Sequence, residues 1–312
     1  MKLGFFTACL PEWGLEAVAD YARRAGFDAL ELAAWPRDED RPFTATHLNA
    51  TGFTRADADH TLALLEERGL SASSVGYYGN NLDRDLEVRA ATNQHIHACI
   101  DAAQLLGVET VGTFIGRDIA LSVRENMALA ESIFPPLVDH AREAGVKLVI
   151  ENCVMEGWHP DGYPANIAYS PELWDWMGGL GLYLNYDPSH LVWMGIDPVV
   201  ALRENLELVA HVQAKDIEIF AEQRNRFGWP GEIARSDPWV VGWWRYRVPG
   251  LGDVPWRRII DILHEAEYDG AVSIEHEDPV WGGSDDRILM GLEIAAEHLD
   301  PLVRPMRARE SR

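Results

Sequence analysis

Three junctions in the 312-residue chain repeat one order of events. In "AGFDAL" (25–30), "LGVETV" (106–111) and "AGVKLV" (144–149), a helical pattern stops at glycine and an apolar strand pattern starts within a few residues. Glycine in this place reads as a helix C-terminal stop. Strands that alternate with helices through such short returns run parallel, joined by crossover helices.

The alternation continues along the whole chain. Strand patterns occur at "KLGFFTA" (2–8), "ALELAAW" (29–35), "SASSVGYY" (71–78), "TVGTFIG" (110–116), "KLVIENC" (147–153), "GLYLNYD" (181–187), "LVAHVQAKD" (208–216) and "AVSIEHED" (271–278). Helices are predicted between them, from about 55 to 68, 85 to 106 and 122 to 144 among others. Ser122 with Glu125 has the spacing of a capping box, and Ser170-Pro171 and Asp197-Pro198 place a cap before a proline at the first helical position. Eight strand–helix units in about 300 residues match a closed (β/α)₈ barrel. An open doubly wound sheet usually carries a glycine-rich phosphate loop after its first strand, and "TACLPEWG" (7–14) does not supply one. The expected organisation is one barrel domain over residues 1–303, with a Trp-rich insertion at about 217–253 and a polar tail at 304–312.

A formal net charge of -23 repels a phosphate backbone and an anionic membrane surface, so neither nucleic acid nor membrane is an expected partner. No run approaches the roughly 20 apolar residues of a membrane span. Cys9, Cys99 and Cys153 form no CxxC pair, which fits small buried residues and a cytoplasmic location.

Active sites of such barrels lie at the C-terminal ends of the strands. The fifth to eighth strands end in chemistry-bearing residues: Glu151, then Asp187 with His190 after it, then His211, Gln213 and Lys215 on one face, then Glu275. Side chains alternate along a strand, so these sets share the inward face. Three carboxylates pressed together must take up protons or bind a cation. Oxygen ligands suit Mg²⁺ or Mn²⁺, and an imidazole among them would make Co²⁺ or Zn²⁺ competitive. Asp187 reads as a ligand and His190 as its neighbour, holding substrate or supporting the site. Taken alone, His211 reads as a core or supporting histidine. Arg247, in "WRYRVPG", is placed to reach substrate from above. Trp229, Trp239, Trp243 and Trp244 in the long insertion fit either a lid over a sugar face or an oligomer contact, so a homodimer or tetramer is an open expectation.

"LVIEN", "YDPSH", "HVQAKD" and "SIEHED", with "AGFDALEL" and "RVPGLGDVPW", resemble the signature segments of the sugar phosphate isomerase/epimerase group, the xylose-isomerase-like barrels. The resemblance covers essentially the whole chain. It implies a divalent metal held by Glu151, Asp187, Gln213 and Glu275, with Gln213 where family members commonly carry histidine and His211 as the alternative ligand. It implies proton transfer by Glu151 and Glu275 next to a sugar carbonyl, through an enediolate, with isomerisation or epimerisation as the outcome. His190, His211, Lys215 and Arg247 would bind the sugar or polyol-derived substrate. A keto-inositol-type dehydratase uses the same proton abstraction and is the alternative. A non-catalytic sugar-binding barrel and an abasic-site endonuclease are the remaining readings. The endonuclease needs histidines that "GYYGNN" and "TFIGRD", ending the third and fourth strands, do not supply.

Overall fold

The computed structural model describes residues 1–36, 44–233 and 237–305. Ten strands and ten α-helices are found among them, in chain order β1 (Lys2–Phe6), α1 (Leu15–Ala25), β2 (Ala29–Ala33), α2 (Arg55–Glu66), β3 (Ser71–Gly76), α3 (Leu86–Leu106), β4 (Thr110–Thr113), α4 (Val123–Glu143), β5 (Lys147–Glu151), α5 (Pro171–Gly179), β6 (Tyr183–Tyr186), α6 (Pro188–Met194), α7 (Pro198–Glu204), β7 (Val209–Ala214), β8 (Asp216–Ile219), α8 (Ala221–Phe227), β9 (Trp244–Arg247), α9 (Trp256–Glu265), β10 (Ala271–Ile274) and α10 (Asp285–Val303). Eight of the strands close into a barrel, in the order β1-β10-β7-β6-β5-β4-β3-β2, and every neighbouring pair is parallel. This is the (β/α)₈ barrel that the strand–helix alternation predicts.

Strand alternation sorts side chains between two layers. On β1, Phe5 faces outward and meets the edges of Tyr21 and Phe27 at 6.1 and 5.0 Å. Phe6, its neighbour, faces inward and packs at 5.6 Å against Tyr78. The helix stops at Gly26 and Gly107 are left-handed C-caps, as the junctions predict. Ser122 and Glu125 form the expected capping box. Ser170 departs from expectation: its side chain makes no capping bond, and the proline alone starts α5.

Two further differences bear on function. Asp187 does more than end a strand. Its side chain accepts from the Ser189 N–H and caps α6, a helix that the strand pattern of "YDPSH" masks. The insertion after β7 is also more regular than a loop. It opens with β8, turns through α8 and returns as β9, which pairs antiparallel with β8 (Asp216 with Arg247, Ile219 with Trp244). At the chain end Arg304 pairs with Asp28 and Asp300, and residues 306–312 of the polar tail lie outside the described residues.

Candidate active site

The barrel interior is built around Tyr78, just past the end of β3. Small residues on β3 and β4 make the room. A Cβ on Gly112 would lie 2.3 Å from the Tyr78 hydroxyl, so only glycine leaves the ring its place. Tyr78 donates to Glu31 Oε1 at 2.6 Å and accepts from Asn185 Nδ2 at 2.8 Å. Gln213 Nε2 donates to both Glu31 Oε1 and Tyr78 Oη, each at 3.1 Å. Asn185 Oδ1 faces His211 Nδ1 at 3.0 Å. His211 is thus tied to the polar interior, with burial lowering its pKa.

Above this layer the carboxylates meet. Oxygens of Glu151, Asp187 and Glu275 lie within 4.8 Å of one another, and all three side chains are buried. Lys215 extends into their midst. Its Nζ is 2.6 Å from Glu275, 3.1 Å from Glu277, 3.2 Å from Asp187 and 3.8 Å from Glu151, and the residue is 1% exposed. His190 bridges the other side, with Nε2 at 3.2 Å from Glu151 Oε1 and 3.3 Å from Asp187 Oδ2.

Burial pushes the Glu275 carboxyl well above its usual range against the pull of Lys215, with Glu151 and Glu277 adding repulsion. Burial also raises Glu151, opposed by Lys215 and the His190 hydrogen bond. Asp187 goes the other way. Burial alone would raise it, but Lys215, His190 and the Ser189 N–H together hold it down to about 2. Burial would lower Lys215, and the surrounding carboxylates, Glu275 first, lift it well above its usual value. His190 is likewise raised against its burial. Cys153 beside it is a neutral thiol, pushed by burial up to about 12, so the imidazolium rests on Asp187 and Glu151.

A cavity of about 760 Å³ opens over this floor. Glu151, Lys215, Glu275 and Glu277 reach it from the barrel; Phe114, Trp239 and Trp244 are among its aromatic walls. The β8–β9 hairpin closes one side. Tyr246 on β9 lies under Lys215, with Nζ 4.7 Å from the ring centroid, and its hydroxyl is 3.4 Å from His190 Nδ1. Trp244 stacks on Trp193 at 5.0 Å, and Trp193 stacks on Trp229 at 5.7 Å. Trp239 lies on Gly157, where a Cβ would come within 2.3 Å of the indole.

Of the residues singled out in the sequence, Glu151, Asp187, Glu275, Lys215 and His190 come together directly. The Gln213 and His211 side chains instead bond within the polar interior, to Glu31 and Tyr78 and to Asn185. Arg247 is corrected: it does not line the cavity, because Asp278 takes its Nε at 2.8 Å and Glu218 its Nη1 at 2.6 Å. Arg245, two residues earlier on the same face of β9, lines the cavity in its place and also pairs with Glu218, its Nη2 at 2.7 Å. Sequence reasoning passed over Glu31, Tyr78 and Glu156. Glu156 is buried in the cavity wall, and neither carboxyl oxygen has a hydrogen-bond partner among the described residues. Its only signal in the sequence is a second acid five residues after Glu151 in "ENCVMEGW".

The barrel and its rim of acids define a class. The family model described as xylose isomerase-like TIM barrel matches residues 19–300, and the chain belongs to that family. Within it, YfiH of Bacillus subtilis strain 168, an uncharacterized protein, is 27% identical over 314 aligned positions, 89% of this chain and 93% of that one. Inosose dehydratase of Clostridium tetani is 33% identical over 101 residues, 31% of this chain and 30% of the enzyme. The crystal structure of D-psicose 3-epimerase in the presence of D-fructose superposes with a TM-score of 0.69 at 17% identity, covering 97% of this chain and 99% of that one, a likeness of fold. No helix among the described residues is long and apolar enough to cross a membrane.

Proposed function

We propose that the protein is a divalent-metal-dependent isomerase or epimerase of a small sugar or polyol derivative, acting by proton transfer at the carbon next to a carbonyl. The observation that carries this reading is the convergence of Glu151, Asp187 and Glu275, buried and from three different strands, within 4.8 Å. The donor chemistry fits a hard cation. Gln213 Oε1 is a buried oxygen with no hydrogen-bond partner among the described residues, and Asp187 Oδ2 already faces the cationic groups of Lys215 and His190 at 3.2 and 3.3 Å. Glu151, Asp187, Gln213 and Glu275 would hold the ion, Mn²⁺ or Mg²⁺ by their oxygen character, with Co²⁺ or Zn²⁺ favoured only if His211 contributed nitrogen. A bound divalent ion supplies Lewis-acid polarisation of a substrate carbonyl.

The chain's own residues do the rest. Glu151 ends β5 and Glu275 directly follows β10, strands separated in the barrel by β6 and β7, and so the two face a substrate from different sides. One takes the proton and the other returns it, with the charge spread as an enediolate in between. Return to the same carbon from the other face inverts it; return to the adjacent carbon interconverts aldose and ketose. Burial raises both carboxyls, which strengthens them as bases. Lys215 and His190 offer N–H donors to sugar oxygens, and Glu156 offers an unpartnered carboxyl to a hydroxyl group. The aromatic walls exclude water and suit the apolar face of a sugar ring.

A second reading, a dehydratase, is favoured by the match to inosose dehydratase over 101 residues. It shares the proton abstraction and then expels a hydroxyl group. Incubation with Mn²⁺ and a panel of ketopentoses, ketohexoses and an inosose in D₂O tests both. Deuterium uptake next to the carbonyl with new isomers supports the first; loss of water supports the second. Glu151→Gln and Glu275→Gln should each slow exchange by about 10²–10⁴-fold, the usual weight of general acid–base catalysis. Full exchange in either variant would remove the proposed proton-transfer pair.

A further inference from the structure

We propose that Glu31 and Tyr78 are positioning residues that lock the Gln213 amide so that its oxygen is presented to the carboxylate site, making glutamine a competent ligand there. The inference rests on the metal-dependent reading above.

The directions of the hydrogen bonds carry it. A carboxylate only accepts, so Glu31 sets the polarity of everything bonded to it. Tyr78 spends its one proton on Glu31 Oε1 at 2.6 Å, which leaves its oxygen as an acceptor. The Gln213 amide nitrogen then donates into this pair, lying 3.1 Å from both Glu31 Oε1 and Tyr78 Oη. Turning the amide over would lose both bonds and set its oxygen against two acceptors. The remaining atom, Gln213 Oε1, is buried with no hydrogen-bond partner among the described residues. Such an atom carries a desolvation cost unless a cation or donor meets it.

The barrel register places the backbone of Gln213 at the level of the site. Tyr186 pairs with Val212, so the next residues, Asp187 and Gln213, leave neighbouring strands at the same level. Lys215, two residues on and on the same face of the chain, touches both Asp187 and Glu275. Asp187 Oδ2 is a second buried oxygen there, facing the cationic groups of Lys215 and His190 at 3.2 and 3.3 Å. A glutamine is flexible where a histidine is rigid, and the Glu31–Tyr78 pair supplies the missing rigidity. Gly112 keeps Tyr78 in place, since any side chain there would strike its hydroxyl.

The test is Mn²⁺ binding to the substrate-free protein by titration calorimetry, with thermal melting to check folding. Glu31→Gln should weaken Mn²⁺ binding by about tenfold or more, the usual effect of losing a group that orients a ligand. In a Gln213→Leu background the same Glu31→Gln change should weaken it no further, which a general structural role of Glu31 would not produce. Tyr78→Phe, which keeps the ring, should show the same dependence on Gln213 and serves if Glu31→Gln does not fold. Unchanged affinity in these variants, or equal losses in both backgrounds, overturns the inference alone. A wild-type protein that binds no Mn²⁺ overturns it together with the reading it rests on.

Discussion

Lys215 brings a full positive charge into a space shared with Glu151, Asp187, Glu275 and Glu277, and it offsets the repulsion among the four carboxylates. A buried charge is costly without partners, and removing one partner leaves the others uncompensated. Lys215→Met should therefore cost about 3–5 kcal/mol in denaturant unfolding measured without divalent ions. Added Mn²⁺ should restore a larger share of stability to the variant than it adds to the wild type, because the ion and the ammonium answer the same need. A variant as stable as the wild type in metal-free buffer would mean that the carboxylates take up protons when the lysine is lost. The acids were legible in the sequence as strand-end residues. That the lysine would stand among them, and that Arg247 would turn away to Asp278 and Glu218, was not. Arg245 and Arg247 share one face of β9 and both pair with Glu218, so strand alternation does not choose between them; how the hairpin lies over the barrel does.

Among the elements, the β8–β9 hairpin links the barrel floor to the cavity wall, and Asp216 anchors it. Its Oδ1 accepts from Ile217 N and Val254 N, and its Oδ2 from Gly250 N, at 2.8–2.9 Å. Burial pushes the carboxyl up to about 6, although these N–H donors favour its charged form. A carboxyl whose folded pKa lies above its unfolded value binds more protons when folded between the two values. The stability it contributes therefore falls as pH rises from about 4, its unfolded value, to about 6. Asp216→Asn, which cannot titrate and loses an acceptor, should be less stable than the wild type. Its deficit in urea unfolding should narrow across that pH window, and a constant deficit would mean an ionised carboxyl throughout. The sequence showed a long Trp-rich segment here but no hairpin. Its two strands are four residues each and pair across 24 intervening residues, leaving no short turn to announce the pairing.

For the whole molecule, a closed barrel concentrates the acids of several strands at one mouth while the surface carries a formal net charge of -23. Binding of a cation to the folded form alone must stabilise it, by about 2.7 kcal/mol at a hundredfold excess over the dissociation constant. Mn²⁺ at micromolar to millimolar levels should raise the melting temperature, and a chelator should reverse the rise. Sodium chloride at equal ionic strength should not reproduce it at low ion concentrations, since screening of surface charge is not site binding. An identical response to both salts would assign the effect to the surface.

The sequence by itself determined the barrel. Glycine-ended helices and short returns admit few topologies other than parallel strands with crossover helices, and eight of them close. It also placed Glu151, Asp187 and Glu275 together at the C-terminal ends of the barrel strands, because strand ends and side-chain alternation are local properties. The relative heights of those residues were decided only by tertiary structure. Register across the barrel pairs Gln213 with Ser273 and Asn185 with both Glu151 and His211. The strands are staggered, so residues that look level along the chain lie in different layers. That stagger sets Lys215 beside Glu275, lowers Gln213 into the reach of Glu31 and Tyr78 from the opposite wall, and so forms the polar interior. No run of neighbouring residues encodes a contact between side chains 182 positions apart; closure of the sheet creates it.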